Sequence, residues 1–224
     1  MIKNISNLGD AALYCDFGVE VNKEINSEVI RYFKNLKNQN IEGIKNLTPS
    51  YNKLIISFDL NKTNFRSIKK VVENLDLSET KYLNSKKIVI PVCSEEKFSL
   101  DIKRLEEKSK LSRDKIFESF FSKEYFCYMT GFIAGMPFLG DLDENMRVKR
   151  LETPRVKVPK GSIGLTEQFA NVYTFESPGG WNIIGNTPLK IFNSSKEVEP
   201  NLINPGDTVT FKNISLESYS NFDE

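Results

Sequence analysis

The polar and apolar positions of this chain change their rhythm once, near Tyr125. Before that point, β-type runs alternate with amphipathic helical stretches. "AALYCDFG" (Ala11–Gly18) is an apolar run stopped by glycine and predicts a strand. In "INSEVIRYFKNLKN", Ile25, Val29, Ile30, Phe33 and Leu36 recur at helical spacing, so one face is apolar. "IEGIKNL" and "KLIISFDL" predict two strands joined by a turn at Thr48-Pro49-Ser50. "TNFRSIKKVVENL" repeats Phe65, Ile68, Val72 and Leu75, which predicts a second helix with Thr63 as its N-cap. "KKIVIPV" (Lys86–Val92) is rich in β-branched residues. The order β-α-β-β-α-β predicts an α+β, ferredoxin-like domain over residues 1–92.

Residues 93–224 are expected to form a helical connector and a β-rich domain. Leu100 to Phe121 predicts two short helices, the first carrying Leu100 and Leu105, the second starting near Ser112 with Ile116 and Phe120. Helical periodicity then disappears, and most glycines and prolines fall between Gly131 and Gly206. The runs "YFCYMTGF", "GSIGL", "NVYTF", "WNIIG", "LKIF" and "DTVTF" are short and separated by turn residues, which predicts a barrel or sandwich. The tail "SLESYSNFDE" has few apolar residues and is expected to fray.

Composition narrows the function classes. The 224 residues are 39% hydrophobic and 27% charged with a net charge of +1, the balance of an ordinary soluble protein. Scattered lysines and arginines give no electrostatic case for nucleic acid or an acidic membrane. No apolar run approaches the roughly 18 residues of a spanning helix, and the first stretch lacks a signal peptide's apolar core. Three cysteines, far apart and without a CxxC, point to reduced thiols in the cytoplasm and no metal site. The chain has no histidine, so it cannot build a Ser-His-Asp triad, a Cys-His pair or an imidazole base. Acid–base chemistry must come from Asp, Glu, Lys, Tyr or Cys, or from another subunit.

Four segments could carry chemistry. "GFIAGMPFLGDLD" (Gly131–Asp143) is glycine-rich but lacks GK[ST] and a following helix, so it is no phosphate loop. It is either a loop whose Phe132, Met136, Phe138 and Leu139 fill a core, or backbone lining a ligand. In "ETPRVKVPKGSIG", Pro159-Lys160-Gly161 suits a type II turn into a strand. Arg155 there is either a surface arginine paired to an acid such as Glu152, or a clamp for a carboxylate. "ESPGGWNIIGNTP" reverses the chain sharply. It sets the single tryptophan, Trp181, after Glu176, the one carboxylate that could act as a base there if burial raised its pKa. "NLINPGDTVTF" reads as a tight turn into the last strand, without chemistry.

Taken in order, "GDAALYCDFG", "PSYNKLIISFD", "KKIVIPVC", "GFIAGMPFLGDLD", "TPRVKVPKGSIG", "YTFESPGGWNIIGNTPLKIF" and "INPGDTVTF" resemble a family known under several names: the 5-oxoprolinase B subunit, allophanate hydrolase subunit 1 and KipI (carboxyltransferase domain, subdomain C and D type). The resemblance runs from Gly9 to Phe211. It implies a small α/β domain followed by a cyclophilin-like β-barrel, in a chain that works with companion subunits. Those are a KipA-like subunit (the C-type subunit of 5-oxoprolinase) and a LamB/YcsF-type subunit, and the complex uses ATP to open 5-oxoproline to glutamate. On that reading Arg155 holds a substrate carboxylate or phosphate. Gly135, Ser177, Gly179, Gly180 and Trp181 bind substrate, and Glu176 is a candidate base. The family also implies two other roles: a KipI-like inhibitor that binds a histidine kinase, and a carboxyltransferase component using biotin from a partner. Several of the family's polar positions differ here. Its histidine falls around Phe120, its Gln-Thr-Gly stretch reads Gln168-Phe169-Ala170, and its "IGRTP" arginine is Asn186.

Overall fold

Alternating burial along two runs places their apolar side chains on one face of a sheet. The computed structural model describes residues 1–77 and 85–222, and the chain divides into two units, Met1–Asn84 and Ser85–Glu224. In the first, β1 (Asn4–Asn7), β2 (Ala12–Asp16), β3 (Ile44–Pro49) and β4 (Lys53–Phe58) form an antiparallel sheet in the order β1-β2-β4-β3. Leu13, Cys15, Leu54, Ile56 and Phe58 point to its buried face. Helices α1 (Lys23–Gln39) and α2 (Phe65–Glu73) cover that face with Val29 and Leu36, and with Ile68 and Val72. Each such aliphatic side chain removed from water stabilises the fold by about 1.5–3 kcal/mol.

The helix ends are set by short polar side chains. Asn22 caps α1 by accepting the Ile25 N–H at 2.9 Å, and Asn40 ends it in the left-handed conformation. The α2 cap is Asn64 rather than the expected Thr63, because the Asn64 side-chain carbonyl accepts the Ser67 N–H at 3.1 Å while the Thr63 N–H is spent on the Asp59 carbonyl. Asn26, buried within α1, donates to the carbonyls of Ser50 and Tyr51 and fastens the β3–β4 turn to the helix.

The expected ferredoxin-like topology is corrected at one strand. Lys87–Val92, here β5, does not join the first sheet; β1 takes the edge beside β2 instead. The β5 strand runs parallel to β13 (Thr208–Asn213), paired residue for residue from Lys87 with Thr208 to Val92 with Asn213. That pairing places β5 in the second unit, so the division falls before Ser85 and not after Val92.

In the second unit, α3 (Ile102–Ser109) and α4 (Arg113–Phe121) precede β6 (Glu124–Thr130) and β7 (Pro137–Gly140). After a 3-10 turn at Glu144–Met146 come β8 (Arg155–Val158), β9 (Ser162–Thr166), β10 (Phe169–Val172), β11 (Ser177–Gly179) and β12 (Asn182–Asn186). Seven strands form a curled half-barrel sheet, β12-β9-β10-β7-β6-β13-β5, while β8 and β11 pair as a separate ribbon. The two edges of the sheet meet at one bridge, where Cys93 and Asn186 exchange backbone hydrogen bonds of 2.9 and 3.0 Å. Leu105, Ile116 and Phe120 of the helices share the core with Tyr125, Leu139, Ile163 and Val209. The Phe120 ring stacks on Phe211 with 4.7 Å between centroids.

Three expectations for this unit change. Leu100 is 48% exposed and precedes α3, so Ile102 and Leu105 form its apolar face. "LKIF" makes no strand: Ile191 and Phe192 pair only with Asn201 and Leu202 of their own loop. Finally, the tail forms one helical turn, α5 (Leu216–Ser220), capped by Ser215. The Tyr219 hydroxyl donates to Asn186 Oδ1 at 2.7 Å, and its ring lies 4.6 Å from that of Phe98. A single turn is too short to show periodicity, which is why the pattern read as coil.

All three cysteines are free and buried. Burial pushes the Cys15 thiol up to about 12, and Cys127 is also raised by burial, so both stay protonated and inert at neutral pH. On the surface of the second unit, a hydrogen bond from Lys123 at 2.6 Å, helped by Ser119, holds the Asp143 carboxyl below its usual range. The sign follows from linkage: a depressed carboxylate stabilises the fold above its unfolded value and loses that contribution as pH falls through the lowered folded one. Lys123→Met is therefore expected to lower the melting temperature at pH 7, with the gap from wild type closing in acid. Melting curves between pH 7 and pH 2 check this; a gap that persists at the acid end contradicts it.

Candidate functional site

The turn Pro159–Ser162 delivers β9 from the ribbon to the barrel sheet. Gly161 sits at φ +81°, and the Ser162 N–H reaches the Pro159 carbonyl at 3.2 Å, as the type II expectation requires. The β8–β11 ribbon pairs Gly179 with Arg155 and shifts register between Ser177 and Gly179. That shift sends the chain through Gly180 and Trp181 into β12. Beside it, the Gly131–Met136 loop closes on itself through the Gly131 N–H and the Met136 carbonyl at 3.0 Å.

These segments enclose a cleft of about 400 Å³. Phe138 and Trp181 form one wall, edge to face with 5.5 Å between ring centroids. Pro154, Pro178 and Met136 add apolar surface, and Phe132, 69% exposed and at φ +70°, stands at the rim. The residues with polar side chains in the lining are Arg150 and Tyr173, beside Gly179 and Gly180. Among the described residues, no carboxylate, lysine or cysteine lines it.

Each polar group is held from behind. Arg150 belongs to a segment tied down on both sides: the Leu151 N–H donates to the Gly180 carbonyl at 2.6 Å, and the Lys149 carbonyl accepts from Asn182 and Arg104. Its guanidinium packs so closely over Gly180 that a Cβ there would meet Nε and Nη2 at 3.2 Å. Arg150 has no ion-pair partner among the described residues. Tyr173 is buried, with its backbone locked to Gly161 and Ser162. Burial raises its phenol above the ordinary value, against weaker downward pulls from Asn171, the Trp181 N–H, Arg150 and Arg155. The phenol is thus a protonated donor at neutral pH.

The candidate residues from the sequence divide. Gly179, Gly180 and Trp181 come together in the cleft. Ser177 is not in the cleft lining, and its buried Oγ makes no hydrogen bond among the described residues. Gly135 packs against Phe192 instead of the cleft; a Cβ there would lie 2.5 Å from that ring. Arg155 does not pair with Glu152. Its Nη2 donates to Asp101 Oδ1 at 2.7 Å, while Asp101 Oδ2 accepts the Ile183 N–H at 2.7 Å. One nitrogen of the candidate clamp is thus bound to a buried carboxylate, while Arg155 Nη1 is buried with no hydrogen-bond partner among the described residues. Glu176 is exposed and paired with Lys157 at 3.0 Å, so no burial acts on it as a base would need.

Arg150 and Tyr173 carry the polar chemistry of the cleft, and neither stood out as a site residue in the sequence. Arg150 sits among Arg147 and Lys149 in a loop that looks like any solvated basic stretch. The available signal was its position just ahead of "ETPRV". Among the described residues no cluster of Cys, Asp or Glu has metal-binding geometry. No helix among them is long and apolar enough to cross a membrane.

The comparisons with known proteins agree with this architecture. Residues 3–203 match the family described as carboxyltransferase domain, subdomain C and D. The B subunit of the Bacillus subtilis 5-oxoprolinase is 31% identical over 98% of this chain and 96% of its own length. Among solved structures, the protein TTHA0988 superposes with a TM-score of 0.83 at 24% identity, over 92% of this chain and 40% of its own. The urea carboxylase of Kluyveromyces lactis superposes with a TM-score of 0.77 at 19% identity, over 96% of this chain and 22% of that one. At those identities the two structures speak for the fold alone, and this chain spans well under half the length of either.

Proposed function

The chain belongs to the carboxyltransferase domain family, subdomain C and D, and from that premise we propose that it is the B-type subunit of a 5-oxoprolinase-type complex. In this reading a KipA-like subunit and a LamB/YcsF-type subunit complete the assembly, which consumes ATP to open a lactam such as 5-oxoproline. Water adds across the ring C–N bond, which breaks to leave the amine and second carboxylate of glutamate. The observation that carries the proposal is the cleft itself. It offers aromatic and proline walls for a small ring, one guanidinium without an ion-pair partner for its carboxylate, and a phenol donor for its carbonyl oxygen.

Among the described residues the cleft has no base or nucleophile of its own, which fits a chain that binds and orients while its companions supply the rest. In this reading Arg150 takes the carboxylate role that the family resemblance implied for Arg155. Glycine at 179 and 180 lets the Tyr173 phenol and the Arg150 guanidinium pack directly against the ribbon backbone, where a side chain would displace them. The regulatory alternative, kinase inhibition, gains no observation of its own.

The test is reconstitution. The chain, co-expressed with its two expected companions, is purified and assayed for ATP-dependent release of glutamate from 5-oxoproline, with and without this subunit. Activity that requires the subunit is the expected result. Companions that keep full activity alone, with no association, overturn the proposal.

A further inference from the structure

Among the residues lining the cleft, Phe132 holds a backbone conformation that its own side chain disfavours. Its φ of +70° lies in the left-handed region, where a Cβ crowds the backbone and glycine or asparagine is at ease. Phe132 is 69% exposed, and its ring makes no aromatic or cation–π contact among the described residues. Phe138 and Trp181, by contrast, brace each other edge to face. A bulky aromatic thus sits in strained backbone and gains no burial.

The loop around it is pinned. The N–H groups of Gly131 and Met136 donate to the carbonyls of Met136 and Ile133 at 3.0 and 3.2 Å. Ile133 packs on Met136, Val158, Tyr173 and Ile183, and two of these, Met136 and Tyr173, line the cleft. The Ala134 carbonyl accepts the Thr174 hydroxyl at 2.7 Å, and Gly135 lies against Phe192. What is left free to turn at position 132 is the side chain. These contacts explain why the backbone is left-handed there, but not why the residue is phenylalanine. Strain of this kind collects at ligand clamps and active sites.

We propose that Phe132 is a specificity-determining residue of the cleft, its ring folding over the bound lactam to cover the methylenes that the Phe138–Trp181 wall leaves facing water. The inference rests on the lactam reading above and adds a preference that Arg150 and Tyr173 cannot supply. An open-chain amide carries the same carboxylate and carbonyl, so those two groups do not distinguish it from a lactam. Covering the methylenes removes apolar surface from water and lowers the dielectric around the Arg150 contact. Cyclic substrates are thereby selected over open-chain N-acyl amino acids of the same charge.

Trp181 is the chain's single tryptophan and lines the cleft, so its fluorescence reports occupancy in the full chain without companions. Titrations compare 5-oxoproline with N-acetylglycine, which keeps the carboxylate and the amide but has no ring. Phe132→Asn should weaken 5-oxoproline by roughly three- to tenfold and N-acetylglycine by less than about twofold. Its melting temperature should equal or exceed that of wild type, because asparagine tolerates left-handed backbone. A residue needed only for the fold would show the reverse pattern. Phe132→Tyr keeps the flat face and should bind as wild type does. An unchanged 5-oxoproline affinity in Phe132→Asn, with binding lost in Arg150→Ala, overturns this inference and leaves the lactam reading standing. Equal weakening of both ligands also overturns it. A wild-type Trp181 signal that saturates with neither ligand overturns the lactam reading of the cleft together with it.

Discussion

Asp101→Ala is expected to destabilise the second unit by about 3 kcal/mol, the lower part of the range for breaking a buried ion pair from one side. Asp101 is 6% exposed and serves two parts of the fold at once. One oxygen holds Arg155 of the β8–β11 ribbon at 2.7 Å, and the other holds the Ile183 N–H of β12 at the same distance. Its own N–H donates to the Ile183 carbonyl at 2.9 Å. Alanine leaves the guanidinium without a counter-charge and the Ile183 N–H without an acceptor. For a chain of this size the loss corresponds to a fall in melting temperature of roughly 6–12 °C. Adding Arg155→Met should recover part of it, because the uncompensated cation is then gone. A single variant that melts with wild type, or a double variant less stable than Asp101→Ala alone, contradicts the assignment.

The second large effect is steric and acts on the cleft. At Gly179, a Cβ would lie 2.8 Å from Tyr173 Cζ and closer still to the hydroxyl. Contacts that short are not tolerated, and Tyr173 is buried with its backbone fixed on both sides, so the ring has little room to yield. Gly179→Ala is expected to cost about 1–3 kcal/mol by overpacking. It should also displace the phenol from the Trp181 N–H and lower turnover of the complex. Tyr173→Phe in the same background removes the hydroxyl that collides first and should restore part of the stability, without restoring the donor. Thermal melts and lactam turnover check both. Wild-type melting and turnover in Gly179→Ala would remove Tyr173 from the site.

Local pattern carried much of this architecture, and its failures share a cause. The α1 face, the Ser112 start of α4 and the Pro159–Ser162 turn are decided by neighbours within a few residues, so they were legible. The destination of β5 was not. A run such as "KIVIPV" suits a strand in either unit, and its partner β13 comes more than a hundred residues later. Asn186 shows the same limit at a single position. Where the family pattern has an arginine, the residue looked like a polar group missing from a pocket. In the fold it is a buried joint: its backbone closes the barrel edges onto Cys93, its Nδ2 donates to the Lys160 carbonyl at 2.9 Å, and its Oδ1 accepts from Tyr219.

The site was half legible for a related reason. "SPGGW" announces a backbone that must come close to something, and its Gly179, Gly180 and Trp181 do line the cleft. Charge assignments are harder, because an arginine's meaning depends on which carboxylate reaches it. Arg155 is answered by Asp101, far away in sequence, while Arg150, in an unremarked basic stretch, is left facing the cleft.

In the proposed function Arg150 holds the carboxylate of the lactam. The most direct measurement is the steady-state kinetics of Arg150→Ala in the reconstituted complex, with 5-oxoproline varied at saturating ATP. A lost charge-assisted contact of about 1.5–3 kcal/mol predicts a fall in kcat/KM of roughly ten- to a hundredfold, mainly through KM, with Arg150→Lys in between. Unchanged kcat/KM in an intact Arg150→Ala complex would rule out that role.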